Sequence, residues 1–428
     1  MVMTVTRCLI LMMSWLGVAV STPLLLGQPF LTVPVEGKSF ESRLQSVSDD
    51  WKIHLLHSER ERVMVIAATD LVRWGQSRVP GNRPHVVLAD GSLLIVEIVQ
   101  LTGDHLVIQS DLWQETLLPL EIVRGILLKP SSDPVQRDRW LDRIRKRTDR
   151  QDTLYLQNKD TVEGVLAGFA KVSEENLERA FQMRSGQRTA PLRIPLKNVV
   201  AVGFNATLVR KPVKDQVKAG IGFREGSWLQ VREIAVKDHV LECELFGSIR
   251  IKAHLSNASP WDQVVMIRPV SRRVVYLGDL PPVDYRHIPF LDIQWPFHVD
   301  RNVVGGQLRV AGQLYRKGIG MHSTSRLAYD IPEGCDRFQV EVGIDDQARK
   351  QGSVVFSIYL QRPGADPASS SWERVTSSPV MRGGQGLHKM NLPLGDARRL
   401  ALVAECSDQG DQRDLANWLN ARFLRSVP

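Results

Sequence analysis

The stretch Leu118-Pro119-Leu120-Glu121-Ile122-Val123-Arg124-Gly125-Ile126 recurs as Ile194-Pro195-Leu196-Lys197-Asn198-Val199-Val200-Ala201-Val202. Self-similarity of this kind marks a supersecondary unit used more than once. Working back from the first copy, the chain reads His85-Val86-Val87-Leu88-Ala89, an Asp90-Gly91 turn, Leu94-Ile95-Val96-Glu97-Ile98, a Gly103-Asp104 turn and Leu106-Val107-Ile108. The second copy is preceded by the same layout, from Thr153-Leu154-Tyr155-Leu156 through an Asn158-Lys159-Asp160 turn to the run Val162 to Phe169. Short alternating or β-branched runs separated by Gly, Asp and Asn are strands and turns. A looser copy spans Ile221 to Ile267, and a fourth runs from Gly37 to the closure Asp70-Leu71-Val72-Arg73-Trp74-Gly75.

Each unit holds about five short strands, too little for a large core of its own, which predicts small closed or half-open barrels packed on one another. The proline in each closing strand cannot donate to a ladder and confines that strand to an edge. One helix interrupts the series, within 131–150. Asp133 is its cap and Pro134 its first residue. Trp140, Leu141 and Ile144 form a narrow apolar stripe among Arg137, Arg139, Arg143, Arg145, Lys146, Arg147 and Arg150. With Asp138, Asp142 and Asp149 interleaved, this pattern is expected to be a solvated basic linker helix.

The 428 residues carry 55 Lys+Arg against 47 Asp+Glu, a formal charge of +8, with 43% hydrophobic content, which excludes disorder and collagen. The basic surplus is diffuse, and Lys/Arg–aromatic interleaving is missing, so nucleic acid is not the expected partner. Met1 to Arg7 followed by the apolar run Cys8 to Val20, with Ala19-Val20-Ser21 as cleavage site, reads as a signal peptide over 1–21. Export to the medium, periplasm or cell envelope, without a transmembrane segment after cleavage, is the expectation. Three cysteines then remain, and an odd count argues against a disulfide framework, with Cys335–Cys406 the one pairing left open. No CxxC, HExxH, phosphate-binding glycine loop or GxSxG elbow occurs. Carboxylates such as Glu97, Asp111, Glu115 and Glu121 show no spacing that singles out a glycosidase pair.

Beyond Pro281-Pro282 the strands lengthen: Arg337 to Val342, Ser353 to Tyr359 and Leu400 to Ala404 alternate cleanly, as in a two-sheet sandwich. Within this region come Tyr315-Arg316-Lys317-Gly318-Ile319-Gly320-Met321-His322-Ser323, then Leu327-Ala328-Tyr329-Asp330, Gly343-Ile344-Asp345-Asp346 and Asp411-Gln412-Arg413-Asp414-Leu415-Ala416-Asn417-Trp418. In that order these blocks resemble the NPCBM family of carbohydrate-binding modules, over about residues 276 to 426. The resemblance implies a galactose-binding-like jelly-roll sandwich, non-catalytic and calcium-supported, that binds a galactose-type glycan or an envelope or environmental polysaccharide.

The residues allow that chemistry. A sugar needs a flat apolar face and a few fixed hydrogen-bonding groups. Trp295, Trp372 and Trp418 are candidate faces, and His322 and Asn417 candidate polar partners. Asp345, Asp346, Asp411 and Asp414 are candidate oxygen ligands for calcium. The whole chain thus reads as all-β: a signal peptide (1–21), β units (22–130), the basic helix (131–150), further β units (151–273) and a jelly-roll sandwich (274–428). Two alternatives stay open, a protein-contact role in an envelope assembly without sugar binding, and the accessory region of a glycoside hydrolase.

Overall fold

The computed structural model describes residues 29–169, 178–184, 190–213, 216–254, 259–289, 292–363, 370–408 and 410–426. The expected signal peptide lies outside the described residues. Four β units are present, each made of four or five strands, then a turn of 3₁₀ helix and a closing strand. In the first unit the strands are Phe30–Pro34, Phe40–Val47, Lys52–His57 and Val63–Ala67, the 3₁₀ turn is Ala68–Asp70 and the closing strand is Leu71–Gly75. The closing strands of the others are Val123–Leu127, Val199–Gly203 and Val264–Pro269.

The repeated Leu-Pro or Ile-Pro stretch is therefore not one strand, as its sequence suggests, but two strands joined by a 3₁₀ turn. Pro119 ends the strand Gln114–Pro119 at φ −63°, Leu120–Ile122 makes the turn, and Val123 N donates to Leu120 O before the chain extends again. Pro195 does the same ahead of Leu196–Asn198. Both proline-ending strands lie at sheet edges, where the missing N–H costs nothing.

The units do not close separately. Their ladders run on as one sixteen-stranded antiparallel system in which the third unit meets the second, the second the fourth, and the fourth the first. Closing strand pairs with closing strand at two joints, with Gly125 opposite Gly203 and Ile267 opposite Trp74. The middle joint pairs Leu93 with Trp228, on the second strands of units two and four. Gly75 makes the first-to-fourth joint possible: at φ +75° a Cβ here would lie 1.9 Å from Val265 O. One hydrophobic core runs through all four units, from Leu44 and Trp74 to Ile221 and Ile267.

The helix α1 (Pro134–Arg145) is capped as expected, with Asp133 Oδ1 accepting from Val135 N at 2.9 Å. It is not a solvated linker. Leu141 and Ile144 are fully buried against Val87, Leu93, Leu127 and Ala201, and Arg137 and Asp138 are buried with them. Asp138 accepts from both terminal nitrogens of Arg309, at 2.5 and 3.1 Å, and from Gln307 N at 2.9 Å. Just past the helix, buried Arg147 donates to Tyr155 Oη and Thr153 Oγ1. The helix thus clamps the array to the domain that follows.

That domain is a sandwich of two six-stranded antiparallel sheets. One runs His298–Val299, Gly318–His322, Leu415–Leu424, Arg337–Ile344, His388–Pro393, with Val274–Tyr276 also on Leu415–Leu424. The other runs Asp284–His287, Ser325–Asp330, Arg399–Cys406, Ser353–Pro363, Ser370–Ser377, with Met381–Arg382 also on Ser353–Pro363. Phe338, Phe356, Trp418, Leu402 and Phe423 fill the space between them. Among the described residues no helix is long and apolar enough to cross a membrane.

Candidate functional site

The period-2 alternation of the second sheet decides which residues face outward. Leu327, Ile358 and Leu402 point into the core and are fully buried. Their neighbours Arg326, Tyr359 and Val403 therefore share the outer face. Register carries that face across four strands: Arg286 lies opposite Arg326, Arg326 opposite Val403, and Ala401 opposite Tyr359. On the edge strand Trp372 lies opposite Gln361, two residues from Tyr359. These side chains, with Ile288, Thr324 and Ser325, line a depression of about 300 Å³. Trp372 is 37% exposed, so part of its indole faces the solvent. Arg326 is held by Asp284 at 2.6 Å.

Of the residues singled out from the sequence, only Trp372 lines this depression. Tyr359, Arg286 and Arg326 were missed. For Tyr359 the signal was present, since an aromatic between Ile358 and Leu360 in a strand must face away from the core. The arginines look like any exposed pair until the register places them opposite each other.

His322 and Trp295 form a second group beside the first. Their rings stack with centroids 4.8 Å apart and planes 6° from parallel. His322 is buried and its Nδ1 lies 2.8 Å from Ser323 O, while burial pushes its pKa below the ordinary value. A third ring, His287, stands edge-on to His322, with its Nδ1 accepting from Trp295 N at 3.3 Å. Trp295 is half-buried, with one face occupied by His322, and packs on the sandwich core.

The remaining candidates lie inside. Trp418 is fully buried, edge-on to Phe356 at 5.1 Å, and has no face for a ligand; it anchors the last strand in the core. Asn417 is fully buried and donates to Asp345 Oδ2 at 2.7 Å. Asp345 also accepts from Asn302 Nδ2, Gln347 N and Arg309 N, so both its oxygens are taken by donors. Burial raises its pKa. Asp346 caps the backbone at Gly312 N, 2.9 Å away. Asp414 accepts from Ser323 Oγ and from Ser353 N, and burial pushes it up to about 6. Asp411 adds to that rise by its charge. The four aspartates thus do not converge on one oxygen cage, and among the described residues no three His, Cys, Asp or Glu side chains gather into a cation site. Cys335 and Cys406 are unpaired, and Cys243 is buried in the fourth unit.

Residues 273–424 match the NPCBM/NEW2 domain family. The sandwich is an NPCBM domain. Among curated proteins, the "Putative endo-alpha-N-acetylgalactosaminidase" of Renibacterium salmoninarum is 27% identical over 264 residues, 58% of this chain and 16% of that one. The alpha-1,3-galactosidase B of Akkermansia muciniphila is 32% identical over 126 residues, 28% of this chain and 14% of that one. The chain therefore spans about a sixth and a seventh of the length of these two relatives. Among solved structures, the CBM51 module of Clostridium perfringens GH95, in complex with methyl-galactose, is 24% identical with a TM-score of 0.29. That match covers 35% of this chain and 99% of the module.

Proposed function

We propose that this chain is an exported, non-catalytic protein whose NPCBM domain binds a galactose-type glycan or polysaccharide through the depression around Trp372. The observation that carries the reading is the outer face of the second sheet. There a half-open indole and Tyr359 offer flat apolar surface, and Arg286, Arg326 and Thr324 beside them supply hydrogen-bonding groups. Flat apolar surface ringed by a few polar groups suits the C–H face and hydroxyls of a sugar. The four-unit array, joined by continuous ladders, would hold this domain away from whatever the protein is attached to. The family match and the two glycosidase-named relatives support sugar recognition, and the same relatives favour a second reading, in which the chain is the accessory region of a glycoside hydrolase.

The test is a glycan-array screen of the whole chain without its first 21 residues, with and without calcium, followed by titration of a hit against Trp372→Ala and Tyr359→Ala. Saturable binding that falls at least tenfold in either variant, with an unchanged melting profile, supports the reading. Undiminished binding in both variants moves the sugar elsewhere on the domain, and no binding by the folded protein leaves protein contact as the better account.

A further inference from the structure

A cavity of about 1060 Å³ lies where the helix α1, the fourth unit and the NPCBM domain meet. Its lining carries eight basic side chains against four acidic ones. Most of the acids are spoken for: Asp142 holds Lys146 at 2.8 Å, and Asp279 and Asp300 hold Lys317 at 2.6 and 3.0 Å. Arg124 is occupied by Arg145 O and Arg147 O, and Arg232 by Glu244, which leaves four lining guanidiniums without a carboxylate partner among the described residues. These are Arg145 at the end of the helix, Arg268 on the closing strand of the fourth unit, and Arg301 and Arg316 from the NPCBM domain.

Their surroundings show the imbalance. Arg268 and Arg316 both lie over the ring of buried Trp228, 4.9 and 4.7 Å from its centroid. Arg268 Nη1 is buried without a hydrogen-bond partner. Arg145 is pushed down to about 10 by burial and by Arg301, and Arg316 is lowered by burial and by Arg145, Arg268 and Arg301. Like charges held together in a partly enclosed space are unfavourable unless a counter-charge enters.

We propose that this cavity is a second ligand site, distinct from the Trp372 depression, and takes an acidic oligosaccharide whose sulfate or carboxylate groups are bound by Arg145, Arg268, Arg301 and Arg316. Arginine presents a planar fork that matches such oxyanions two bonds at a time. The volume is far larger than one ion needs and lies at the upper end of small-ligand pockets. The four forks come from separate elements, with Arg268 and Arg316 side by side on Trp228, which suits several anionic groups along a chain. Because the site is walled by both halves of the molecule, its ligand would also bridge them.

The experiment is calorimetric titration of the whole chain without its first 21 residues with a chondroitin-sulfate hexasaccharide, a galacturonate hexasaccharide, and inorganic pyrophosphate, at low and physiological salt. The expected result is saturable binding of a hexasaccharide that falls at least tenfold in Arg145→Ala/Arg301→Ala. In Arg250→Ala/Arg382→Ala, which removes two exposed arginines that already have acidic partners, affinity should stay within twofold. Equal loss in both pairs means diffuse attraction to a chain of net charge +8 and overturns the site, as does binding of pyrophosphate alone. Phenylglyoxal labelling of the wild-type chain covers the case of a variant that fails to fold. The hexasaccharide should protect Arg145, Arg268, Arg301 and Arg316 but not Arg250 or Arg382, and uniform protection would overturn the proposal. A neutral galactose-type sugar should protect none of the six, so the fate of the Trp372 reading remains separate.

Discussion

The array and the NPCBM domain are both built from antiparallel strands, yet they manage their edges in different ways. In the array the closing strand of one unit is the ladder partner of the closing strand of another, so sheet hydrogen bonds and core are shared among all four units. In the sandwich each sheet ends within the domain and the core is its own. Among the described residues there is almost no ladder between the two halves, only the isolated bridge of Ser77 with Leu314. The contact is carried instead by side chains: the buried Asp138–Arg309 pair, Arg273 with Asp70 at 2.5 Å, and a small apolar cluster of Val35, Val72, Tyr276 and Leu424. A shared ladder makes neighbours fold together, whereas a seam of side chains lets two bodies keep their own stabilities. Two cooperative transitions are therefore expected on heating.

The largest effect that tests this is Phe356→Ala. Phe356 is fully buried against Trp418, and emptying such a site costs about 3–5 kcal/mol. In scanning calorimetry the sandwich transition should fall by several degrees while the array transition stays in place. A single transition that moves as a whole would break the comparison.

Next comes the seam. Asp138 and Arg309 have side chains only 2% and 9% exposed, so Asp138→Asn leaves a buried guanidinium without its counter-charge. The expected cost is about 2–3 kcal/mol, since the amide retains part of the hydrogen bonding. Both transitions should shift, because the pair belongs to both bodies. Replacing the pair together, as Asp138→Leu/Arg309→Met, should recover most of the loss.

How far the sequence revealed this arrangement follows from the range of each interaction. The repeat at Leu118 and Ile194 was readable because turn chemistry and alternation are local, and the outward aromatic at Tyr359 could have been read in the same way. The 3₁₀ break after Pro119 was hidden because Leu, Ile and Val suit a strand and a turn equally well. The burial of Asp138 was hidden because its partner, Arg309, lies 171 residues away. Lengthwise, α1 carries the charges of a solvated helix, and only the distant arginine makes one of its aspartates an interior residue. Asp345 and Asp414 show the same limit. Their spacing looks like loop ligands, but their oxygens are taken by Asn417, Ser323 and Ser353 from elsewhere in the domain.

Asp414 gives a pH test confined to the sandwich. Its carboxyl is raised by burial from the usual 3.8 to about 6, so the folded domain holds the proton more tightly than the unfolded chain. The stabilisation is fully present below 3.8 and is lost as pH rises through about 6. In Asp414→Asn this contribution disappears. Compared with wild type at pH 4, 5, 6 and 7, the variant's sandwich transition should lose the component that strengthens towards pH 4, while the array transition shows no difference. An equal change in the array would mean the two halves unfold as one.

The smallest expected effect lies at the start of α1. Asp133 is exposed, and its one structural task is to accept from Val135 N, satisfying a donor at the helix end. Removing such a cap costs about 1 kcal/mol, and in a body of this size that corresponds to about 2–4 °C. Because Leu141 and Ile144 pin the helix to the core of units two and three, the loss in Asp133→Ala should appear in the array transition. The Asp138–Arg309 pair sits one turn further on, so fraying that stops at the cap leaves the sandwich transition where it was. If the sandwich moves as well, the first turn of α1 is holding the seam, and the helix belongs as much to the second body as to the first.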